Sequence, residues 1–226
     1  MRARKHDLLR KTFMTHITFY LDFISPYAYL AFEELPKQLM GISHRVTYRP
    51  ILFGAVLNHH GHMGPAEIPG KREWTYRQVL WQAKQMGIQL DMPLAHPFNP
   101  LSLSRLAVAC SDDGVPNRYV CETIFRHVWH GGKAADDADR LVALSQTLVP
   151  KRDLQDADVK NQLKSNTDKA IAEGVFGVPT FAIDDKLFWG LDALPMLRQY
   201  LEKDALFSET DWQSVNSIKA GITRKP

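Results

Sequence analysis

The chain has 226 residues, of which 45% are apolar and 23% charged, and a formal net charge of +3. That length suits one large domain, or one domain carrying an insertion, and the composition is that of a globular protein. No run approaches ~18 apolar residues, which excludes a spanning helix, and the cations gather at one end, which gives no case for a nucleic-acid surface.

Residues 1–14 carry Arg2, Arg4, Lys5, Arg10 and Lys11 against Asp7, a net +4 that leaves the rest of the chain at −1. They read as a disordered basic extension. Leu8-Leu9 and Phe13-Met14 are too short for the apolar core of a secretory signal, so the expected compartment is the cytoplasm, and Met14 is a second candidate start. Ile17, Phe19 and Leu21 alternate and predict a strand over 16–22. Ser25 then reads as a helix N-cap with Pro26 at the first helical position, where a missing N–H costs nothing. The helix shows Ala31, Leu35 and Leu39 on one face and stops at Gly41. A strand follows over 44–49, and then a loop over 50–70 rich in Gly, Pro and His.

From 71 to about 173 the pattern is helical. The expected core stripes are Tyr76, Val79, Leu80 and Ala83; then Leu101, Leu103, Leu106 and Ala107; then Val120, Ile124, Phe125 and Val128. Leu141, Val142, Ser145 and Leu148 form a fourth stripe, and Val159, Leu163, Ala170 and Ile171 a fifth. Breaks fall at 87–100, 114–116, 131–132 and Pro150. The chain closes with a strand over 180–183, a turn at Asp184-Asp185-Lys186, a strand over 187–189, a helix with Leu194, Leu197 and Leu201, and a polar tail over 208–226.

On spacing alone, Ser25 is an N-cap worth ~1 kcal/mol. A strand that ends at a helix N-terminus is also a place to hold an anion or a thiolate. Cys110 and Cys121 have neither metal nor redox spacing and read as buried thiols. His59, His60 and His62 lack a nearby Cys or carboxylate at ligand spacing, so no metal is expected. Trp74, Arg77 and Trp81 lie opposite the core stripe of their helix. Two solvent-facing tryptophans are unusual, so they are expected to line a cleft or to meet a second subunit.

Three segments together carry a resemblance: Asp22-Phe-Ile-Ser-Pro-Tyr27, Phe176-Gly-Val-Pro-Thr180 and Trp189-Gly-Leu-Asp192. They resemble the kappa-class glutathione transferases and the 2-hydroxychromene-2-carboxylate isomerases, in the DsbA-like branch of the thioredoxin superfamily, from about His16 to Tyr200. The implied fold is α/β: thioredoxin-like, with a large all-helical insertion between an N-terminal βαβ and a C-terminal ββα. The thioredoxin-like domain would be 15–70 and 165–207, and the insertion 71–164. The resemblance implies glutathione as cofactor, with Ser25 where disulfide oxidoreductases carry the nucleophilic Cys and Ala28 where they carry the second. Dithiol exchange needs both sulfurs, so that activity is excluded at this site. A Ser hydroxyl can instead stabilise the thiolate of bound glutathione.

By the same resemblance Pro179 is cis, Val178 pairs with the cofactor backbone, and Trp189, Gly190, Leu191 and Asp192 hold the γ-glutamyl end. Asp192 read without it is only an N-cap. Phe53, Asn58, His62, Phe98 and Asn99 would line the substrate pocket, with Asn58 where relatives carry a Lys and His62 where Asn is common. The leading expectation is a glutathione-dependent isomerase. The alternatives are a kappa-like transferase and a non-catalytic glutathione or peptide binder. Expected partners are a small aromatic or keto-acid substrate and a second copy of the chain, with no nucleic acid and no membrane.

Overall fold

The structure, a computed structural model, describes residues 14–222; the basic extension up to residue 13 and the last four residues of the tail lie outside the described residues. Strand β1 (Thr15–Leu21) leads through helix α1 (Pro26–Gln38) to β2 (His44–Pro50), which pairs parallel to β1 from Thr15↔His44 to Leu21↔Pro50. Strand β3 (Thr180–Ile183) returns antiparallel on the other side of β1, and β4 (Lys186–Trp189) pairs antiparallel with β3, giving the order β2-β1-β3-β4.

The central strand is covered on both faces. Ile17, Phe19 and Leu21 point into the main core, where they meet α1 and the inward face of α5 (Arg118–Trp129). Tyr20 points the other way, into a smaller cluster with Ile51, Val56, Ala170, Val175 and Val178. This follows from the period of two in the strand: one face packs on each layer.

Between β2 and β3 lie α2 (Phe53–His59), α3 (Lys71–Met86), α4 (Leu101–Ala109), α5, α6 (Ala138–Leu148) and α7 (Ala157–Ala172). Asn117 and Asp137 cap α5 and α6 by accepting from the N–H of Val120 and Arg140. Helix α3 ends at Gly87 in the left-handed region, φ 67°, which costs a Gly nothing. Gly114 also has positive φ, and a Cβ there would lie 2.6 Å from the Gln162 side chain of α7. The chain closes with α8 (Leu194–Leu201), whose Leu194 and Leu197 enter the main core. No described helix is long and apolar enough to cross a membrane.

The structure corrects the element reading in several places. The expected loop over 50–70 contains α2 and a 3-10 turn at Pro65–Glu67. Helix α2 buries only Val56, too little for a readable stripe. In α3 the buried positions are Thr75, Val79 and Ala83, while Leu80 is exposed; in α6 the buried residue is Leu144 and Val142 is exposed. Both helices have a narrow apolar face, so a stripe shifted by one position fits the sequence equally well. The boundary expected at 164/165 falls inside α7, which runs from the insertion down to the sheet. The tail beyond 207 carries a short α9 (Thr210–Ser214), whose Trp212 packs on Phe207 at 5.0 Å.

Candidate active site

The site begins where β1 stops. Asp22, the first residue past the strand, is fully buried, and its carbonyl accepts from the Ser25 N–H at 3.1 Å. Ser25 has the extended backbone of an N-cap, φ −87° and ψ 115°, and its Oγ accepts from the Ala28 N–H at 3.2 Å. Pro26 follows at the first position of α1, and the N–H of Tyr27 has no acceptor among the described residues. Ser25 Oγ also reaches the Val178 carbonyl oxygen at 3.5 Å, long enough that the hydroxyl can turn to another acceptor. The Val178–Pro179 bond is cis. Beyond it, the Pro179 carbonyl accepts from Gly190 N–H at 2.9 Å, which ties the Pro loop to the end of β4. Trp189 leans over this loop, edge-on to Phe176 at 4.9 Å, and a Cβ on Gly177 would lie 2.5 Å from its Nε1.

Above Ser25 opens a cleft of about 1210 Å³. One wall is α2 with Phe53, Gly54 and Leu57, continued by residues 61–68. The opposite wall is α3, through Lys71, Trp74, Thr75 and Gln78, and the loop with His96, Pro97, Phe98 and Pro100. Phe176, Val178 and Trp189 close one end. Most of the surface is apolar, with polar groups only where they can orient a ligand.

Polar side chains fix the walls. Tyr27 Oη donates to Gln78 Oε1 at 2.7 Å, joining α1 to α3. His96 Nε2 donates to the Ile24 carbonyl at 2.8 Å, since a carbonyl can only accept; the Tyr76 hydroxyl lies 2.8 Å from His96 Nδ1 and 2.7 Å from the His96 carbonyl oxygen. Burial lowers the His96 pKa, so the ring is neutral near pH 7. The Asp22 carboxylate accepts from Ile24 N–H at 3.2 Å and Phe53 N–H at 2.8 Å. Burial pushes its pKa up to about 6, and these backbone N–H groups pull it back only in part.

Of the residues selected from the sequence, Ser25, Val178, Trp189, Phe53, His62 and Phe98 come together around this cleft. Asn58 and Asn99 do not: Asn58 is exposed outside the lining, and Asn99 accepts from Leu101 N–H in the turn before α4. Pro179 and Gly190 lie behind the lining. The Leu191 side chain packs in the main core and is not part of the cleft lining. Asp192 is exposed and near Tyr27, whose pKa it raises after burial. It does not cap α8, whose N-cap is Ala193. Trp74 borders the cleft but is 64% exposed, and Trp81 is 61% exposed and outside it, so the single chain shields neither. Sequence reasoning gave no site role to Asp22, Tyr27, Gln78 or Phe176, and from the loop over 96–100 it selected Phe98 and Asn99 rather than His96. Asp22, Tyr27 and Phe176 stood inside quoted motifs. Gln78 reaches the site from α3 and leaves no local signal.

A model of the DsbA-like thioredoxin domain matches residues 16–202. The chain belongs to that family. Among DsbA-like relatives it is 31% identical over 188 residues to a 2-hydroxychromene-2-carboxylate isomerase of Pseudomonas putida, covering 80% of this chain and 91% of the relative. It is 28% identical over 216 residues to glutathione S-transferase kappa 2 of Caenorhabditis elegans, covering 82% and 91%. The solved structure of a 2-hydroxychromene-2-carboxylate isomerase superposes with a TM-score of 0.70 over 90% of this chain and all of the other, at 24% identity. The DsbA-like fold with its helical insertion is therefore that of this branch, and its curated relatives are enzymes.

Proposed function

We propose that the protein is a glutathione-dependent isomerase of the 2-hydroxychromene-2-carboxylate isomerase type, acting on a small aromatic or conjugated keto acid. The observation that carries this reading is Ser25 Oγ at the N-terminus of α1, facing Val178 across the floor of an apolar cleft. The donor set fits the tripeptide. The Val178 N–H has no acceptor among the described residues, and its carbonyl takes only the long Ser25 contact, so an extended peptide backbone can pair there as an added strand does. Asp192 is free to meet an ammonium, and Trp189 with Phe176 gives an apolar flank.

Bound glutathione would supply a sulfur nucleophile able to add to a conjugated carbon and leave again once the carbon–carbon bond has turned. The chain's own part is positioning and electrostatics. The Ser25 hydroxyl and the partial positive charge at the start of α1 favour thiolate over thiol. No base stands within hydrogen-bond reach of Ser25 Oγ among the described residues, so Ser25 is not itself the attacking group. Lys71 at the cleft rim can take a substrate carboxylate, and Phe53, Leu57 and Phe98 exclude water from the ring. A kappa-type transferase is the second reading, favoured by the 28% identity to the kappa 2 enzyme over nearly its whole length.

Calorimetric titration with reduced glutathione up to millimolar concentration tests the first step. One site per chain and a raised melting temperature are expected. In Ser25→Ala the thiolate absorbance of the bound cofactor should titrate at higher pH and kcat should fall. The absence of both binding heat and thermal protection in the wild type would sink the reading.

A further inference from the structure

We propose that Asp22 is a positioning residue: its carboxylate ties the Ser25 loop to the N-terminus of α2 and so fixes the α2 wall of the cleft. The two bonds carry this. One carboxylate oxygen accepts from Ile24 N–H, immediately before Ser25, and the other from Phe53 N–H, the first residue of α2. Helix α2 has no local substitute, because its N-cap is Leu52 and no side chain of the cap accepts a hydrogen bond. A helix of seven residues with one buried side chain is marginal by itself. Its first N–H groups need an acceptor, and Asp22 supplies it from 31 residues away.

The nature of the group supports the assignment. Asp22 is fully buried, and no Lys, Arg or His among the described residues forms an ion pair with it. A buried charge without a counter-ion costs the fold free energy. Its sign is also wrong for holding a thiolate, so its value to the site is geometric. A carboxylate accepts at both oxygens, whereas an amide of the same shape has one acceptor for the two N–H groups. Phe53 and Leu57 then lose their fixed distance from Ser25, and the α2 side of the cleft widens.

The strut itself does not depend on the ligand; its part in substrate capture rests on the glutathione reading above. Hydrogen exchange in the wild-type protein gives a test without a variant. The Phe53 amide should exchange at least tenfold more slowly than that of Gly54, which has no acceptor among the described residues. In Asp22→Asn, residues 53–59 should exchange about tenfold faster, with β1 and α7 unchanged. Turnover is probed with glutathione and 1-chloro-2,4-dinitrobenzene. The KM for this electrophile should rise about fivefold or more in Asp22→Asn, with kcat within twofold. Equal protection of Phe53 and Gly54 in the wild type, or a fall in kcat at unchanged KM, would overturn the strut. Protection at Phe53 that is lost in the variant, with no glutathione binding by either protein, would uphold the strut and overturn the glutathione reading.

Discussion

Lys71 is the one Lys or Arg among the described residues that line the cleft, and this decides how an acidic substrate is held. A charge-assisted hydrogen bond is worth ~1.5–3 kcal/mol, and Lys71 is exposed, so the lower end applies: about tenfold in binding. Lys71→Met should therefore raise the KM for 2-hydroxychromene-2-carboxylate about tenfold and leave kcat within a few fold. Asn58→Lys should change neither by more than about twofold, since Asn58 lies outside the lining. Steady-state kinetics on the two variants decides it; a gain in Asn58→Lys would mean that α2 turns its outer face inward when substrate binds. The same contrast shows what single residues disclose. Ser25, Phe53, His62 and Phe98 could be read because each sits in a compact motif or a loop next to one. Asn58 and Asn99 stand in equally suggestive segments, but which side of a short helix or turn faces the cleft is set by packing. Asp22 was visible as a letter in the motif. Its partner at Phe53 is visible only once β1 and α2 are folded together.

Helix α3 carries the same lesson one level up. Its ends were legible, at Lys71-Arg72 and at Gly87, because the glycines that flank it, Gly70 and the left-handed Gly87, are local punctuation. Its buried face was not, because Thr75, Val79 and Ala83 are small and the large residues Trp74, Leu80 and Trp81 point outward. Size misleads when a helix packs closely and lends its bulky side chains to a cleft. Trp74 and Trp81 are two turns apart on one face, yet only Trp74 borders the cleft. Iodide quenching of single-tryptophan variants should separate them. Glutathione with a substrate analogue should shield Trp74 and leave Trp81 as it was. Shielding of Trp81 before any ligand is added would report the second copy of the chain expected from the sequence. If ligand shields neither, the cleft does not extend to Trp74.

At the scale of the whole molecule, the order of the strands was legible because they alternate cleanly and the turns have their own chemistry: 16–22, 44–49 and the hairpin at 184–186 all lie within a residue or two of the observed elements. The parallel pairing of β1 with β2 through α1, and the antiparallel return of β3 and β4, then complete the DsbA-like sheet. The join at α7 was not legible, since one continuous helix serves both the insertion and the sheet. Such a fold hosts more than one chemistry, and a disulfide reductase of Pseudomonas aeruginosa shares it at a TM-score of 0.52 and 15% identity. The sulfurs decide for this chain. By the resemblance, Ser25 and Ala28 stand where an exchange pair would carry its two sulfurs. Cys121 is fully buried, which pushes its thiol well above the usual range, and burial pushes Cys110 up to about 11. Exchange proceeds through the thiolate, and at pH 7 a thiol with a pKa near 11 is ionised in only about one molecule in ten thousand. Reduction of insulin by dithiothreitol should therefore run at the uncatalysed rate with this protein present. Replacing both cysteines with Ser should change nothing. A rate well above background that disappears with Cys110 or Cys121 would show that a thiol outside the cleft is active.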